Sequence, residues 1–140
     1  MSIAIESDKL ASAGKDGYIQ MWSMSTWSKL FQCKHDDWVN CIMFWQNYLI
    51  SASSDRTVKI WSKNDGQLIK TLQHDQPCYN FDINNGIMAV ASFTGVTIWA
   101  LADHKKLKHI ELGQISDVRC QGNQIIAGAA DGRVLCIKYQ

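Results

Sequence analysis

The chain has 140 residues, of which 46% are hydrophobic and 19% are charged, and this composition is typical of a globular protein. Its formal net charge of +1 favours neither nucleic acid nor an acidic substrate nor a membrane surface as a partner. No run of about 18 or more apolar residues is present, and the start "MSIAIESDK" lacks a signal-peptide pattern, so we expect a cytoplasmic or nuclear protein that no membrane holds.

Strand-forming segments come in groups of four along the chain. The first group, within residues 1–34, consists of "SIAIE", "KLASAG", "YIQMWS" and "SKLFQC". The second group, within residues 38–74, consists of "WVNCIMFW", "YLISAS", "TVKIWS" and "QLIKTLQ". Residues with β-branched and aromatic side chains dominate these segments, and Asn, Asp, Ser and Gly separate them. Each group therefore predicts a four-stranded antiparallel meander.

The third and fourth groups continue the pattern. Residues 77–112 contain "CYNFDI", "IMAVAS", "GVTIWAL" and "KLKHIEL". Residues 114–140 contain "ISDVRCQ", "QIIAGAA" and "RVLCIKY", so the fourth group lacks an outermost strand. The predicted fold class is all-β, with one domain over residues 1–140.

One unit is repeated along the chain with a period of about 40 residues. Three tryptophans in register stand 39 and 38 residues apart: Trp22, Trp61 and Trp99. Three aspartates in the turns before the third strands stand 39 and then 76 residues apart, which is two steps of 38: Asp16, Asp55 and Asp131. A fixed period of this length predicts a repeat architecture.

This period, with a Trp late in the third strand and an Asp in the turn before it, resembles the WD-repeat family, whose units are blades of a β-propeller. The resemblance implies a buried hydrogen-bonded tetrad, whose members are all present only in the second unit: His35, Ser51, Asp55 and Trp61. In such a tetrad the hydroxyl serves the indole N–H, and the Asp fixes the imidazole. It implies a rigid blade and no catalytic triad.

The other units retain only part of the tetrad. The retained residues are Ser12, Asp16 and Trp22 in the first unit, His74 and Trp99 in the third, and Asp131 in the fourth. In the third unit Val90 and Thr94 stand where Ser and Asp belong, and in the fourth Ala127 and Ile137 replace Ser and Trp. We expect packing alone to hold the later units.

The resemblance also implies a binding face, formed by the loops that lead into first strands and by the turns between second and third strands. By register, this face presents Lys15, Trp38, Asn40, Ser54, Arg56, Tyr79, Phe93 and Ser116. Aromatic and Arg side chains among small polar ones suit a protein-binding patch. The alternative is that Trp38 only covers the neighbouring blade, because aromatic residues bury large areas wherever they lie.

Three other chemistries fit the residues less well. A Ser–His–Asp hydrolase needs an exposed, activated Ser, whereas Ser51 lies inside an apolar strand. A zinc site at Cys33, His35 and Cys41 lacks a second pair of ligands. The basic run "HKKLKH" at 104–109 suggests nucleic acid, but Lys on an outer strand also protects a sheet edge from aggregation. We therefore expect no enzyme activity, no metal and no cofactor.

The number of units bears on how the ring is completed. Propellers close with about 4 to 8 blades, whereas this chain supplies three blades and part of a fourth. We expect a partial ring whose open faces are covered either by missing N-terminal blades or by a second copy in a homodimer.

The leading functional prediction is a non-enzymatic scaffold that binds a partner protein or peptide on the propeller face. The segment "WVNCIMFWQNYLISASSDRTVKIW" resembles blades of ubiquitin-ligase substrate receptors, which makes substrate recognition in such a complex, or in another multiprotein complex, one setting. The alternative is a module that binds RNA or a ribonucleoprotein, with affinity that falls steeply as salt rises.

Overall fold

The computed structural model describes residues 1–139 of the chain. Within them the chain forms fifteen β-strands in four antiparallel sheets. None of these residues forms a helix that is long and apolar enough to cross a membrane. The chain divides into two compact units, Met1–Asp75 and Gln76–Gln140, and each unit contains two sheets.

The first unit contains two meanders, sheet I and sheet II, in which the spatial order of the strands follows the sequence. Sheet I consists of β1 (Ser2–Glu6), β2 (Lys9–Ala13), β3 (Tyr18–Ser23) and β4 (Lys29–Lys34). Sheet II consists of β5 (Val39–Trp45), β6 (Tyr48–Ser53), β7 (Thr57–Ser62) and β8 (Leu68–Gln73). Neighbouring strands in both sheets pair antiparallel.

The antiparallel order gives each sheet of the first unit two distinct ends. The β1–β2 and β3–β4 turns lie at one end of sheet I, which we call its bottom end. The β2–β3 turn and the connection from β4 to β5 lie at the other end, which we call the top end. The β6–β7 turn lies at the corresponding top end of sheet II, so the loops predicted to bind a partner share one end of their sheets.

The core of the first unit lies between its two sheets. Successive side chains of a strand point to opposite faces, and in β2 and β3 the inward residues Ala11, Ala13 and Met21 are buried while their neighbours are partly exposed. The remaining buried members of this core are Ile19, Cys33, Val39, Ile42, Leu49 and Trp61.

The second unit contains sheet III and sheet IV. Sheet III consists of β9 (Cys78–Asn84), β10 (Ile87–Ser92), β11 (Gly95–Ala100) and β12 (Lys105–Glu111). Sheet IV has three strands: β13 (Ile115–Gln121), β14 (Gln124–Ala129) and β15 (Val134–Lys138). Their shared core consists of Ala89, Ala91, Val96, Ile98, Ile115, Val118, Ile125 and Ala127.

The turn between β10 and β11 is tighter than its counterpart in sheet II. It has two residues between the strands, whereas the β6–β7 turn has three. Gly95 begins β11 with a φ of +152°, and a Cβ built on it would lie 1.9 Å from the carbonyl oxygen of Ile110. Only glycine therefore fits this position.

The predicted all-β class and the antiparallel meanders are confirmed. The blade bounds 1–34, 38–74, 77–112 and 114–140 stay a prediction. The strands of sheets I to IV fall within these ranges, and Gln140 lies outside the described residues.

Candidate functional site

The structure brings together the four tetrad side chains predicted for the second unit. His35 lies in the connection from β4 to β5, Ser51 in β6, Asp55 in the β6–β7 turn and Trp61 in β7. His35 Nδ1 lies 2.7 Å from Asp55 Oδ2, and His35 Nε2 lies 2.7 Å from Ser51 Oγ. The Trp61 indole N–H donates to the same Ser51 oxygen over 2.8 Å.

The protons of this network fit in one order. The Asp55 carboxylate has no proton to give, so His35 Nδ1–H must donate to it. Nε2 of the same ring then accepts, and the single hydroxyl proton of Ser51 donates to it while the hydroxyl oxygen accepts from Trp61. The imidazole is therefore neutral, and each polar group has a partner of the right kind.

Donors also saturate the Asp55 carboxylate. Oδ2 accepts from His35 and from the backbone N–H of Asp36 over 3.1 Å. Oδ1 accepts from the backbone N–H of Thr57 over 3.0 Å and from the Thr57 hydroxyl over 2.6 Å. Sequence reasoning missed Thr57. The signal that could have found it is the Asp-x-Thr spacing, because an Asp side chain in a turn commonly binds the backbone two residues on.

Burial and hydrogen bonding shift the pKa values of both titratable groups. Burial lowers the pKa of the His35 imidazole below its ordinary value of 6.5 and outweighs the opposing hydrogen bond and charge of Asp55. Burial raises the pKa of the Asp55 carboxyl, but the hydrogen bonds from Thr57 and His35 together outweigh it, so this pKa lies below 3.8. At neutral pH the network therefore holds a neutral imidazole and a charged carboxylate.

The role that this geometry supports for the network is structural. Ser51 is 0% exposed, whereas a nucleophilic serine must meet its substrate and an oxyanion site. The imidazole and the Trp61 indole pack edge to face, with ring centroids 6.0 Å apart. Through these contacts the network ties the connection that leads into β5 to the β6–β7 turn.

The residues considered for zinc serve other purposes. The Cys33 thiol donates to the carbonyl oxygen of Gly66 over 3.5 Å, and both nitrogens of His35 belong to the network. Among residues 1–139 no group of three or more His, Cys, Asp and Glu side chains could hold a metal ion.

The partial tetrads keep the turn function of the aspartate. Asp16 accepts from the backbone N–H of Tyr18 over 3.1 Å, and Asp131 accepts from that of Arg133 over 3.1 Å. Asp55 makes the same bond to the residue two positions on. The other retained residues are buried or half-buried: Ser12, Trp22, His74 and Trp99.

Sheet III has a different polar bridge. Val90 takes the place of Ser51 and is fully buried. Thr97 Oγ1 lies 2.8 Å from His109 Nδ1, and Thr94 Oγ1 lies 3.3 Å from His109 Nε2. A histidine of the basic run at 104–109 thus joins β12 to β11 and to the turn before it.

Five of the predicted binding residues lie at the top end of the sheets of the first unit. We call them the Lys15–Trp38 face: Lys15, Trp38, Asn40, Ser54 and Arg56. The Lys15 ammonium lies 4.5 Å from the centroid of the Trp38 ring, within the range of a cation–π interaction. The Ser54 backbone N–H donates to the Trp38 carbonyl over 2.9 Å, and Asn40 Nδ2–H donates to Ser54 Oγ over 2.9 Å. These contacts join the loops of the face.

The exposure of the face decides between the two interpretations of Trp38. Its side chain is 47% exposed, so the ring does more than cover the neighbouring sheet. Lys15 and Arg56 are also exposed. Arg56 has a φ of 68°, in the left-handed region that few residues other than glycine and asparagine adopt readily.

The three remaining predicted binding residues belong to the second unit. Phe93, in the β10–β11 turn, is 53% exposed. Tyr79 is half-buried in β9. Ser116 is exposed, and its hydroxyl donates to the carbonyl oxygen of Gly128 over 3.2 Å.

Comparison with known sequences identifies relatives along the whole chain. The family described as "WD domain, G-beta repeat" matches residues 27–62. The "WD repeat-containing protein 89 homolog" of Dictyostelium discoideum is 26% identical over 96% of this chain and 40% of its own length. The "F-box/WD repeat-containing protein 4" of Mus musculus is 25% identical over 76% of this chain and 28% of its own length. The chain therefore spans less than half the length of these relatives.

Comparison with solved structures supports the same fold. The crystal structure of the computationally designed Ika4 protein superposes with a TM-score of 0.93 at 22% sequence identity. The match covers 99% of this chain and 90% of that chain. At this level of identity the likeness is one of fold.

Proposed function

The chain belongs to the WD-repeat family, with sheets that are blades of a β-propeller, and from this premise we propose that it binds a segment of a partner protein on the Lys15–Trp38 face. Relatives with WD repeats support a general role as a protein-interaction scaffold, and the family is in general non-enzymatic. The face is our proposal for where this chain performs that role.

The observation that carries the proposal is the exposed Trp38 ring beneath the Lys15 ammonium. Trp and Arg dominate the binding energy of protein interfaces because they bury large areas and still offer polar contacts. Two exposed cations, Lys15 and Arg56, stand on the same face. A partner segment that places an apolar side chain on the ring and a carboxylate near these cations would fit best.

The buried network of sheet II prepares the face for binding. Asp55 holds the backbone N–H of Asp36, and the Ser53 hydroxyl donates to the carbonyl of Asp37 over 3.3 Å. The residues just before Trp38 are therefore fixed before a partner arrives. A fixed loop loses less conformational entropy on binding, which favours affinity.

Two substitutions in the face and one outside it test the proposal. Trp38→Ala removes the ring, and Arg56→Gly removes the guanidinium at a position where glycine suits the backbone. Lys70→Ala, at an exposed position of β8, is the control for loss of a cation. Each protein is immobilised, and the proteins that it retains from an extract are quantified.

We expect both face variants to lose the same retained proteins and Lys70→Ala to keep them. Because hot-spot truncations cost about 2 kcal/mol or more, purified partners should bind roughly 30-fold more weakly to Trp38→Ala. Retention that is unchanged by both face substitutions would contradict the proposal.

Completion of the ring is a second part of the proposal. On β1, Ile3 is 58% and Ile5 is 62% exposed, and such apolar residues on one sheet usually mark an interaction surface. Because relatives are more than twice as long as this chain, we propose that further repeats or a second copy cover this side of sheet I. For the 140-residue chain alone, light scattering should show a concentration-dependent dimer that Ile3→Glu with Ile5→Glu weakens; a folded monomer at all concentrations would exclude the second copy.

The setting of the scaffold remains open to two proposals. A multiprotein complex, including one of ubiquitin-ligase type, is favoured by the blade resemblance in the sequence. The RNA-binding alternative rests on the exposed lysines of β12, which are Lys105, Lys106 and Lys108. It predicts that RNA affinity falls steeply with salt concentration and with substitution of these lysines.

A further inference from the structure

We propose that Trp27 is the anchor of a second interaction surface, at the bottom end of sheet I, which inserts its indole into an apolar cleft of a partner protein. This surface is independent of the Lys15–Trp38 face. Trp27 lies in the turn between β3 and β4, and the top end is separated from it by the length of a strand. A strand of five or six residues spans roughly 17–20 Å.

The backbone of Trp27 is in a conformation that tryptophan disfavours. Its φ is 52°, in the left-handed region where a bulky side chain is strained. Gly66 takes the same position in the β7–β8 turn of sheet II, with a φ of 76°. Glycine fits this turn without strain, so the chain carries its largest side chain where its smallest would fold best.

The side chain of Trp27 gains little from the fold in return. It is 70% exposed, although an indole usually buries most of its large apolar area. An exposed and strained aromatic residue contributes little to the stability of its own chain. Its strain and its exposure are separate observations, and both are explained if the ring is buried in a complex.

The turn around Trp27 is held rigidly. The Asp8 carboxylate accepts from the Ser23 hydroxyl over 2.7 Å, and from the backbone N–H of Ser25 over 2.6 Å and its hydroxyl over 3.0 Å. The Asp8 carbonyl also accepts from the backbone N–H of Met24 over 2.8 Å. Hydrogen bonding to Ser23 lowers the pKa of Asp8, so the clamp is charged at neutral pH. The β1–β2 turn thus fixes the turn that presents the indole.

The chemistry around the ring defines the partner. Hydroxyl groups surround Trp27 in sequence, and those of Thr26 and Ser28 lie 2.7 Å apart. Leu30, at the start of β4, is 47% exposed. The matching surface is a cleft with apolar walls, an acceptor for the indole N–H and a polar rim for the hydroxyls. A folded protein supplies such a cleft more readily than an extended peptide does.

The test compares stability with binding in the same variants. Trp27→Gly removes the ring and relieves the backbone, Trp27→Phe keeps an aromatic ring, and Trp38→Ala serves as the control for the other face. Urea unfolding gives the stability of each variant. Proteins retained by the immobilised wild-type chain and lost from Trp27→Gly are purified, and their affinities for all four proteins are measured by calorimetry.

We expect Trp27→Gly to unfold at a higher urea concentration than wild type, yet to bind its partner at least tenfold more weakly. Trp27→Phe should recover part of the affinity, and Trp38→Ala should bind this partner as wild type does. A cyclic peptide of residues 23–29 should compete with the chain for the partner. A lower unfolding midpoint for Trp27→Gly, or a set of retained proteins that does not depend on Trp27, would overturn the proposal. If Trp38→Ala loses the same partner, the two surfaces are not independent and the proposal also fails.

Discussion

Sheets II and III are built from corresponding strands but are stabilised differently. In sheet II a buried Ser, His, Asp and Trp form one hydrogen-bonded network around Ser51. In sheet III the corresponding strand carries Val90, which is fully buried among apolar neighbours. Both sheets form four strands with the same order of pairing. The meander therefore does not require the polar network.

What the network adds is control over the loops at the top end. In sheet II it fixes the connection into β5 and the β6–β7 turn through Asp55. In sheet III a shorter turn with Gly95 does this without an Asp. The comparison indicates that apolar packing forms the sheet, whereas polar groups or glycine decide where the loops lie.

The largest effect is expected at Gly95, where sheet III depends on a single backbone position. Gly95→Ala places a Cβ 1.9 Å from the Ile110 carbonyl oxygen, in a backbone conformation that alanine avoids. We expect the free energy of unfolding to fall by about 3 kcal/mol or more. Gly113→Ala is the control, since it has a positive φ of 79° but nothing within 4 Å of the added Cβ, and should cost about 1 kcal/mol. Equal losses in urea unfolding would show that the short turn is not what holds sheet III.

The next effect converts sheet II toward the apolar form of sheet III. Ser51→Val leaves the Trp61 indole N–H and His35 Nε2 buried without their partner, which should cost about 2–3 kcal/mol. Adding Trp61→Phe removes the orphaned donor, and a double-mutant cycle should recover part of the loss. Ser116→Ala, at an exposed position, is the control and should change stability little. If Ser51→Val is as stable as wild type, the network contributes nothing that packing does not.

The network should also make the first unit sensitive to acid. The pKa of His35 is lower in the folded chain than its ordinary 6.5, so the unfolded chain binds a proton more readily. Stability is then fully present above about pH 6.5 and is lost as pH falls toward the folded pKa. The pKa of Asp55, lowered below 3.8, adds a further loss at still lower pH by the same reasoning. Urea unfolding from pH 7.5 to 4.5 should show the first step in wild type and in His104→Asn, but not in His35→Gln; a step that survives in His35→Gln belongs to another group.

The sequence predicted the strands well because alternation and turn residues are local signals. The four members of the network could also be placed, because their positions follow from the register of one repeat. Thr57 and the bridge of Thr94, Thr97 and His109 were missed. They depend on side chains that meet only once the strands have paired, and His109 stood within a run that charge alone made conspicuous.

The smallest predicted effect separates the turn of sheet II from its network. Arg56 has a φ of 68°, whereas the residue after the turn Asp of sheet I is Gly17, with a φ of 79°. Arg56→Gly should therefore relieve local strain and raise the free energy of unfolding by roughly 0.5–1 kcal/mol, because the left-handed conformation suits glycine. Gln67→Gly, in the next turn and without a positive φ, is the control and should be destabilising. A stabilised Arg56→Gly that still loses its partner would assign the arginine to binding, since a side chain that the fold needed could not be removed with a gain in stability.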